Sequence, residues 1–410
     1  MNYSVKKSWR MYKESRNYLA GGSSTSSKIP VFENSEPALI VKGKGCRVWD
    51  ADGNEYIDFR NGLGPITLGY CVPEINRTIS EQLESGFVFG HPHPLEGEVA
   101  KLLVELVPCA QRVRFLKTGG EAIAACIKIA RNATKRNKIL HCGYNGWLNS
   151  LSGQGYRPVG IARSQPNKGI PLVLQELHKS LPWAEMERWE EVFSREGKDI
   201  AAVVIASDYA QMEKGKEFLP ALRKLTRKYG SLMIMDEIVT GFRLAIGGAH
   251  EYFDFSPDMA VFGKGLANGM PISAYLGEAN LIDSAKEIGI STTFGGETLS
   301  LAAAKTSINF YRENNVIEHL WKVGKLMWEG VQSLFRKYEI PAKVEGFPVC
   351  PFLSFESSTV RENFFKCCYR KGVSLYDVPY INYSHKEEDV RQALGRIEEA
   401  LKEMSKGERG

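Results

Sequence analysis

Short apolar runs, several of them alternating with stretches of helical periodicity, recur through the middle of this 410-residue chain. Val113–Leu116, Lys138–His141, Ala202–Ala206, Leu232–Asp236, Met259–Phe262 and Ser273–Leu276 read as strands. Glu121–Arg131, Trp189–Arg195 and Pro220–Tyr229 read as helices between them. Runs this short and this continuously apolar are those of strands buried on both faces, which points to a mainly parallel sheet covered by helices. Sheets of that kind bind ligands at the carboxyl ends of their strands. The residues directly after each run are therefore where chemistry is expected.

The two ends read differently. Residues 38–58 have the pattern of a meander with a tight turn at Asp52-Gly53-Asn54. From about Ser300 the chain is helical through Phe335, followed by short strands near Ala342–Val344 and Pro351–Phe355 and a charged helix over Glu387–Met404. The fold class expected is α/β: a large domain over 61–300, and a smaller α+β domain from 301–410 joined by the segment 1–60. Net charge is +5, but basic residues are dispersed, and the runs Lys135–Lys138 and Arg223–Lys228 are short enough to be solvated helix faces. That argues against nucleic acid as a partner. No apolar run approaches the length of a membrane span, and the N-terminus has no continuous apolar signal core. The eight cysteines are scattered without a CxxC pair, as expected of reduced thiols in a cytoplasmic protein rather than of a metal site. His91-Pro92-His93 lacks further ligands nearby and reads as a turn.

Two residues after strands stand out. Asp236 ends the run Leu-Met-Ile-Met, and Lys264 sits between Gly263 and Gly265 just past Met259–Phe262. A carboxylate able to hold a pyridine nitrogen protonated and a lysine able to form a Schiff base are what pyridoxal 5'-phosphate requires of a protein. Taken singly, Asp236 could be a helix N-cap and Lys264 an exposed loop lysine. Ile238 could pack flat on one face of a ring, and Thr240–Arg243 would form a turn with Arg243 in a structural ion pair. Thr118-Gly119-Gly120 opens a helix after a strand, where free amides can hold a phosphate. Glu121 suits the helix itself better than the phosphate. Tyr144, in a glycine-rich loop, could stack on a planar group, and Thr293 could offer a hydroxyl and an amide to phosphate.

Together these pieces resemble the class III (subgroup II) aminotransferases, and within them glutamate-1-semialdehyde aminomutases. The motifs that carry the resemblance run along nearly the whole chain: DADGNEYIDF at 50–59, VRFLKTGGEA at 113–122, GYNGW at 143–147, MDEIVTGFR at 235–243, FGKGLANGMPISA at 262–274 and TTFGGETLSLAAA at 292–304. The resemblance implies fold type I of the pyridoxal-phosphate enzymes. It also implies Lys264 as Schiff-base lysine and proton shuttle, Asp236 on the pyridine nitrogen, Ile238 below the ring and Tyr144 above it. Thr118, Gly119 and Gly120 would hold the phosphate. Thr293 would reach the phosphate of a partner subunit, which implies a homodimer with shared active sites.

Departures fall around the substrate. The phosphate turn of the family usually ends in Ser or Thr, here Gly120. The residue after the stacking tyrosine is commonly His, here Asn145. A strand that usually ends in Glu-Pro reads Ala206-Ser207. The arginine by which aminomutases grip a carboxylate is replaced by Lys28, which cannot form the bidentate fork, and a tryptophan by Leu63. The expected activity is thus transfer of an amino group from a small-molecule donor to an aldehyde or ketone, such as a sugar-derived or secondary-metabolite intermediate, with glutamate-1-semialdehyde 2,1-aminomutase as the alternative. A dinucleotide-binding oxidoreductase is disfavoured, since no G-x-G-x-x-G follows an early strand.

Overall fold

The computed structural model describes residues 3–148, 154–155 and 168–407. The chain divides into two compact units, Met1–Val72 with Glu318–Gly410, and Pro73–Ile317. The boundaries thus fall after residues 72 and 317, against the sequence expectation of 60 and 300.

The unit Pro73–Ile317 is built on an eight-stranded sheet. Its strand order is Arg112–Leu116, Ser273–Gly277, Met259–Phe262, Leu232–Asp236, Ile200–Ala206, Lys138–Cys142, His178–Ser180 and Gln154–Gly155. All neighbours are parallel except Ser273–Gly277, which runs antiparallel to both of its partners. No helix intervenes between Phe262 and Ser273 beyond a single 3-10 turn, so the chain has no crossover with which to return parallel. The central strands are sealed: Met259 to Phe262 are fully buried, as are Ile200 to Ile205. Their continuous apolar character is what a sheet covered on both faces demands. The helix Gly119–Thr134 lays Ala122, Ile123, Cys126, Ile129 and Ala130 into this core at helical spacing.

A buried ion pair ties two of the central strands at their entry ends. Arg223, on the helix Gly215–Tyr229, donates to both oxygens of Asp258 at 2.6 Å, and Asp258 also accepts the Met233 amide at 2.6 Å. This fixes the start of Leu232–Asp236 beside the start of Met259–Phe262, and hence what stands at their far ends.

The other unit carries a meander of Ile40–Lys44, Arg47–Asp50 and Glu55–Asp58, joined by Val373–Ser374 parallel to the last of these. Gly53 takes the left-handed backbone that the tight turn needs, at φ +91°. Asp50 accepts from the amides of Asp52 and Asn54 and from the Tyr56 hydroxyl. Asp52 in turn caps the helix Lys6–Ser15 through the Lys7 and Ser8 amides. A separate hairpin, Ala342–Glu345 with Phe352–Phe355, and the helices Ser358–Arg370 and Glu387–Gly407 complete this unit.

Removing one partner of the Arg223–Asp258 pair leaves a buried charge uncompensated. Asp258→Ala should cost about 3–5 kcal/mol, read as a lower urea midpoint by tryptophan fluorescence. An unchanged midpoint would show that the pair does not hold these strands together.

Candidate active site

The carboxyl ends of the parallel strands gather the chemistry. In the parallel register Asp236 stands opposite Val261 on one side and Ala206 on the other, so Lys264 emerges three residues beyond the position beside Asp236. No helix follows Asp236. Its Oδ1 accepts the Ile238 amide at 3.1 Å within a turn, and its Oδ2 accepts from Asn145 Nδ2 at 3.1 Å. The carboxyl is buried, and burial pushes its pKa up to about 6 although the Asn145 and Ile238 donors and the Lys264 charge act the other way. An ionised carboxylate is therefore held here at a cost that a cation placed against it would relieve.

Ile238 brings three segments into contact. A Cβ on Gly119 would stand 2.8 Å from Ile238 Cδ1, and one on Gly263 would stand 2.9 Å from the same atom. Only glycine lets the helix start and the lysine loop close on this side chain. Lys264 itself has a left-handed backbone at φ 39°, a conformation that non-glycine residues adopt rarely and mostly where surrounding structure enforces it. Gly143 is pressed against the end of the neighbouring strand: a Cβ there would meet the Ala206 carbonyl at 2.7 Å. That close approach brings Tyr144 and Asn145 to the rim. Asn145 is buried and its Oδ1 finds no partner among the described residues, nor does the buried hydroxyl of Ser207. Tyr144 is half-exposed, and its phenol pKa is raised by burial and by the nearby Asp236 charge.

At the start of Gly119–Thr134 a reciprocal cap forms. Glu121 accepts from the Thr118 amide at 2.8 Å and the Thr118 hydroxyl at 3.0 Å, and its own amide donates to Thr118 Oγ1. The amides of Gly119 and Gly120 remain without hydrogen-bond partners among the described residues. Gly120 differs from Gly119 in having space: a Cβ there would make ordinary contact with Leu148 at 3.6 Å. Thr293 lies in an exposed loop. Lys28, which is exposed, and Leu63, which is left-handed at φ 73°, belong to the other unit.

Sequence reasoning overlooked Glu237. Fully buried, it accepts from the Ala249 amide at 2.7 Å, from the His250 amide and Nδ1 at 3.0 Å, and from the Thr240 hydroxyl. Burial opposes the His250 cation, yet its hydrogen-bonding neighbours Cys109 and Glu237 raise its pKa to about 10. The adjacent acid in Asp236-Glu237 was a signal, but a lone histidine in a later segment gave no hint of its partner. Arg243 is buried and donates from Nε to the Val239 carbonyl at 3.2 Å. The His91-Pro92-His93 turn proves to start the helix Pro94–Leu106, with His93 Nδ1 accepting the Leu95 amide. None of the eight cysteines is in a disulfide.

The donor set suits a phosphorylated pyridine aldehyde: free amides at a helix start, a buried carboxylate wanting a cation, and a lysine just past the end of the neighbouring strand. Comparison with known proteins agrees. Glutamate-1-semialdehyde 2,1-aminomutase from Sulfurihydrogenibium sp. is 33% identical across 97% of this chain and 99% of its own length, and the one from Sulfurihydrogenibium azorense is 34% identical across 97% and 99%. A solved transaminase with PLP bound superposes with a TM-score of 0.89 at 23% identity, covering 100% of both chains. The model of the aminotransferase class-III family matches residues 30–401. This chain belongs to the class-III aminotransferases, enzymes that work with pyridoxal 5'-phosphate.

Proposed function

We propose that this enzyme moves an amino group from a small-molecule amine to an aldehyde or ketone other than glutamate-1-semialdehyde, with Lys264 as the lysine that carries the cofactor. The observation that carries the reading is the placement of Asp236 and Lys264 at the carboxyl ends of neighbouring parallel strands, with Ile238 packed between Gly119 and Gly263. When bound, pyridoxal phosphate supplies an electron sink for the carbon whose C–H bond is broken.

The chain's own residues do the rest. The Gly119 and Gly120 amides bind phosphate, aided by the helix dipole, whereas the Thr118 amide and hydroxyl are engaged by Glu121. Asp236, oriented by Asn145 and the Ile238 amide, holds the proton on the pyridine nitrogen. Ile238 covers one ring face and Tyr144 the other. Lys264, once released by substrate, would take the proton from the substrate carbon and deliver it to the cofactor's C4′ carbon, so that the nitrogen stays with the cofactor.

The substrate class follows from the departures. Lys28 in place of a carboxylate-gripping arginine, Leu63, Asn145 and Ala206 support an acceptor other than glutamate-1-semialdehyde, such as a sugar-derived or secondary-metabolite carbonyl compound. The aminomutase reading is favoured by relatives above 30% identity that carry that activity in their names. Supplying glutamate-1-semialdehyde alone separates the two: efficient 5-aminolevulinate formation would overturn the transferase preference. A homodimer with shared sites is supported by exposed Thr293 and by the exposed Phe87, Val88, Phe89 and Phe294 of the same unit. Eight cysteines, none of them in a disulfide, support a cytoplasmic setting.

Borohydride reduction of the holoenzyme should fix the cofactor on the peptide containing Lys264, and Lys264→Ala should lower turnover by on the order of a thousandfold or more. Label on another lysine would end this assignment.

The two glycines of the phosphate turn should respond oppositely. Gly120→Ser has room for its side chain and adds a donor, so cofactor should bind about tenfold tighter. Gly119→Ala collides with Ile238 and should weaken it by a similar factor. Equal effects in equilibrium titration of cofactor-free protein would place the phosphate elsewhere.

Asp236 also sets a pH dependence. With the folded pKa near 6 and the ordinary value of 3.8, the folded cofactor-free protein binds more protons between those limits, so its stability falls as pH rises through that window. Asp236→Asn escapes this loss. Its thermal midpoint relative to the wild type should climb between pH 4 and pH 6.5, for a gain on the order of 3 kcal/mol. A pH-independent difference would show that the buried carboxylate is not under that penalty.

A further inference from the structure

Within the unit Met1–Val72 with Glu318–Gly410, the segment 23–30 carries Lys28 and is tied down at one point. Its other hydrogen bonds are local: Ser23 with Thr25, the Lys28 amide to the Thr25 carbonyl at 2.9 Å, and the Ile29 amide to the Ser26 carbonyl at 3.2 Å. Among the described residues, its one hydrogen bond to a distant residue is at the Ser27 carbonyl, which accepts from Arg60 Nη2 at 3.1 Å. The chain on either side is held separately. The Gly21 carbonyl accepts the Tyr12 hydroxyl at 2.8 Å, and the Val31 and Phe32 amides both donate to Glu36 Oε2 at 2.9 Å.

Arg60 is itself fixed from several sides. Its amide donates to Asp58 Oδ1 at 3.1 Å, and its guanidinium lies 5.1 Å from the centre of the Tyr376 ring. Nη1 donates to the Tyr369 hydroxyl at 3.2 Å and to Glu36 Oε1 at 3.5 Å, while that hydroxyl donates onward to the Leu375 carbonyl. A guanidinium is planar with its donors in fixed directions, so anchoring Nη1 settles where Nη2 points. The Ser27 carbonyl belongs to the planar peptide that joins Ser27 to Lys28. Holding its oxygen sets the direction in which the Lys28 side chain departs. Lys28 is exposed, and its ammonium forms no ion pair or hydrogen bond among the described residues. A lysine stem loses rotamer freedom when its charge is engaged, and a backbone already ordered spares the further cost of ordering the loop.

We propose that Arg60 is a positioning residue for substrate: by holding the Ser27 carbonyl it sets the turn Ser26–Lys28 so that the Lys28 ammonium receives a carboxylate of the amino donor or carbonyl acceptor. This rests on the reading above that Lys28 faces the substrate. Arg60 acts through Lys28 and not on the reacting atoms.

Hydrogen exchange of the holoenzyme, followed by mass spectrometry, reads the tie directly. Arg60→Met removes the donor. Arg60→Lys puts folding at less risk, since it keeps a cation for Glu36 and Tyr369, yet its single nitrogen leaves the Ser27 carbonyl unheld. In both variants the amides of 23–30 should exchange at least about tenfold faster, and unchanged exchange there overturns the proposal. Specificity is read from the rate at which amines discharge the cofactor's visible absorbance, in pairs that differ by a carboxylate: alanine against isopropylamine, and β-alanine against propylamine. The wild type should favour the carboxylate-bearing member by about tenfold or more. Arg60→Lys should lose that preference as Lys28→Ala does, with the carboxylate-free amines reacting at the wild-type rate. If Arg60→Lys slows both members of a pair alike, or keeps the preference that Lys28→Ala loses, the proposal fails and the reading of Lys28 stands. If the wild type shows no preference, or Lys28→Ala retains it, the reading of Lys28 fails and takes the proposal with it.

Discussion

Everything at the proposed active site depends on a carboxylate that the protein buries without neutralising it. Asp236 ends a strand whose preceding three residues are fully buried, and among the described residues its side chain receives two hydrogen bonds, from Asn145 and from the Ile238 amide. An ionised carboxylate in such surroundings is expensive, and its pKa near 6 expresses that cost. The expense is what makes a cationic ring nitrogen welcome. Asn145 contributes orientation without adding a titrating group.

The next residue shows the alternative. Glu237 is as deeply buried, but it points away into four donors, including a histidine whose pKa is raised to about 10. Two successive acids thus have opposite fates because successive residues at a strand end face opposite sides. The saturated one holds the turn Thr240–Arg243 and the helix Ala249–Tyr252 in place, and Gly248 is obliged to lack a Cβ by the Glu237 carboxylate. A rigid turn beneath keeps the unsaturated acid above it in position.

How much of this was legible depended on range. The six strand runs were found where periodicity placed them, within two residues at each end, because continuous burial leaves an apolar signature that needs no partner to be read. The helices Pro73–Glu84, Pro94–Leu106 and Ser358–Arg370 were not anticipated: Pro73–Glu84 buries only Ile75, so its apolar stripe is thin. Pro220 suggested a helix start, but the helix begins at Gly215 and carries the proline inside. At the site, Asp236, Lys264 and the glycines were legible as types at strand ends. The Asn145–Asp236 bond, the Ile238 contact with both Gly119 and Gly263, and the Glu237–His250 pair were not, because each joins segments far apart in sequence through side-chain geometry alone.

Close packing explains why the altered residues concentrate where they do. Gly119, Gly143 and Gly263 admit no side chain, so the frame around the cofactor cannot vary without moving Ile238 or the Ala206 strand end. Gly120, by contrast, has space for a side chain that the chain does not supply, and the Asn145 and Ser207 oxygens have hydrogen-bonding capacity that the protein does not fill. Gly120 is free of steric obligation and can change without loss of fold, whereas Asn145 is held by its bond to Asp236. In the proposed site the constrained glycines would hold the cofactor frame, and the unfilled Asn145 and Ser207 oxygens are where a different carbonyl compound would be accommodated.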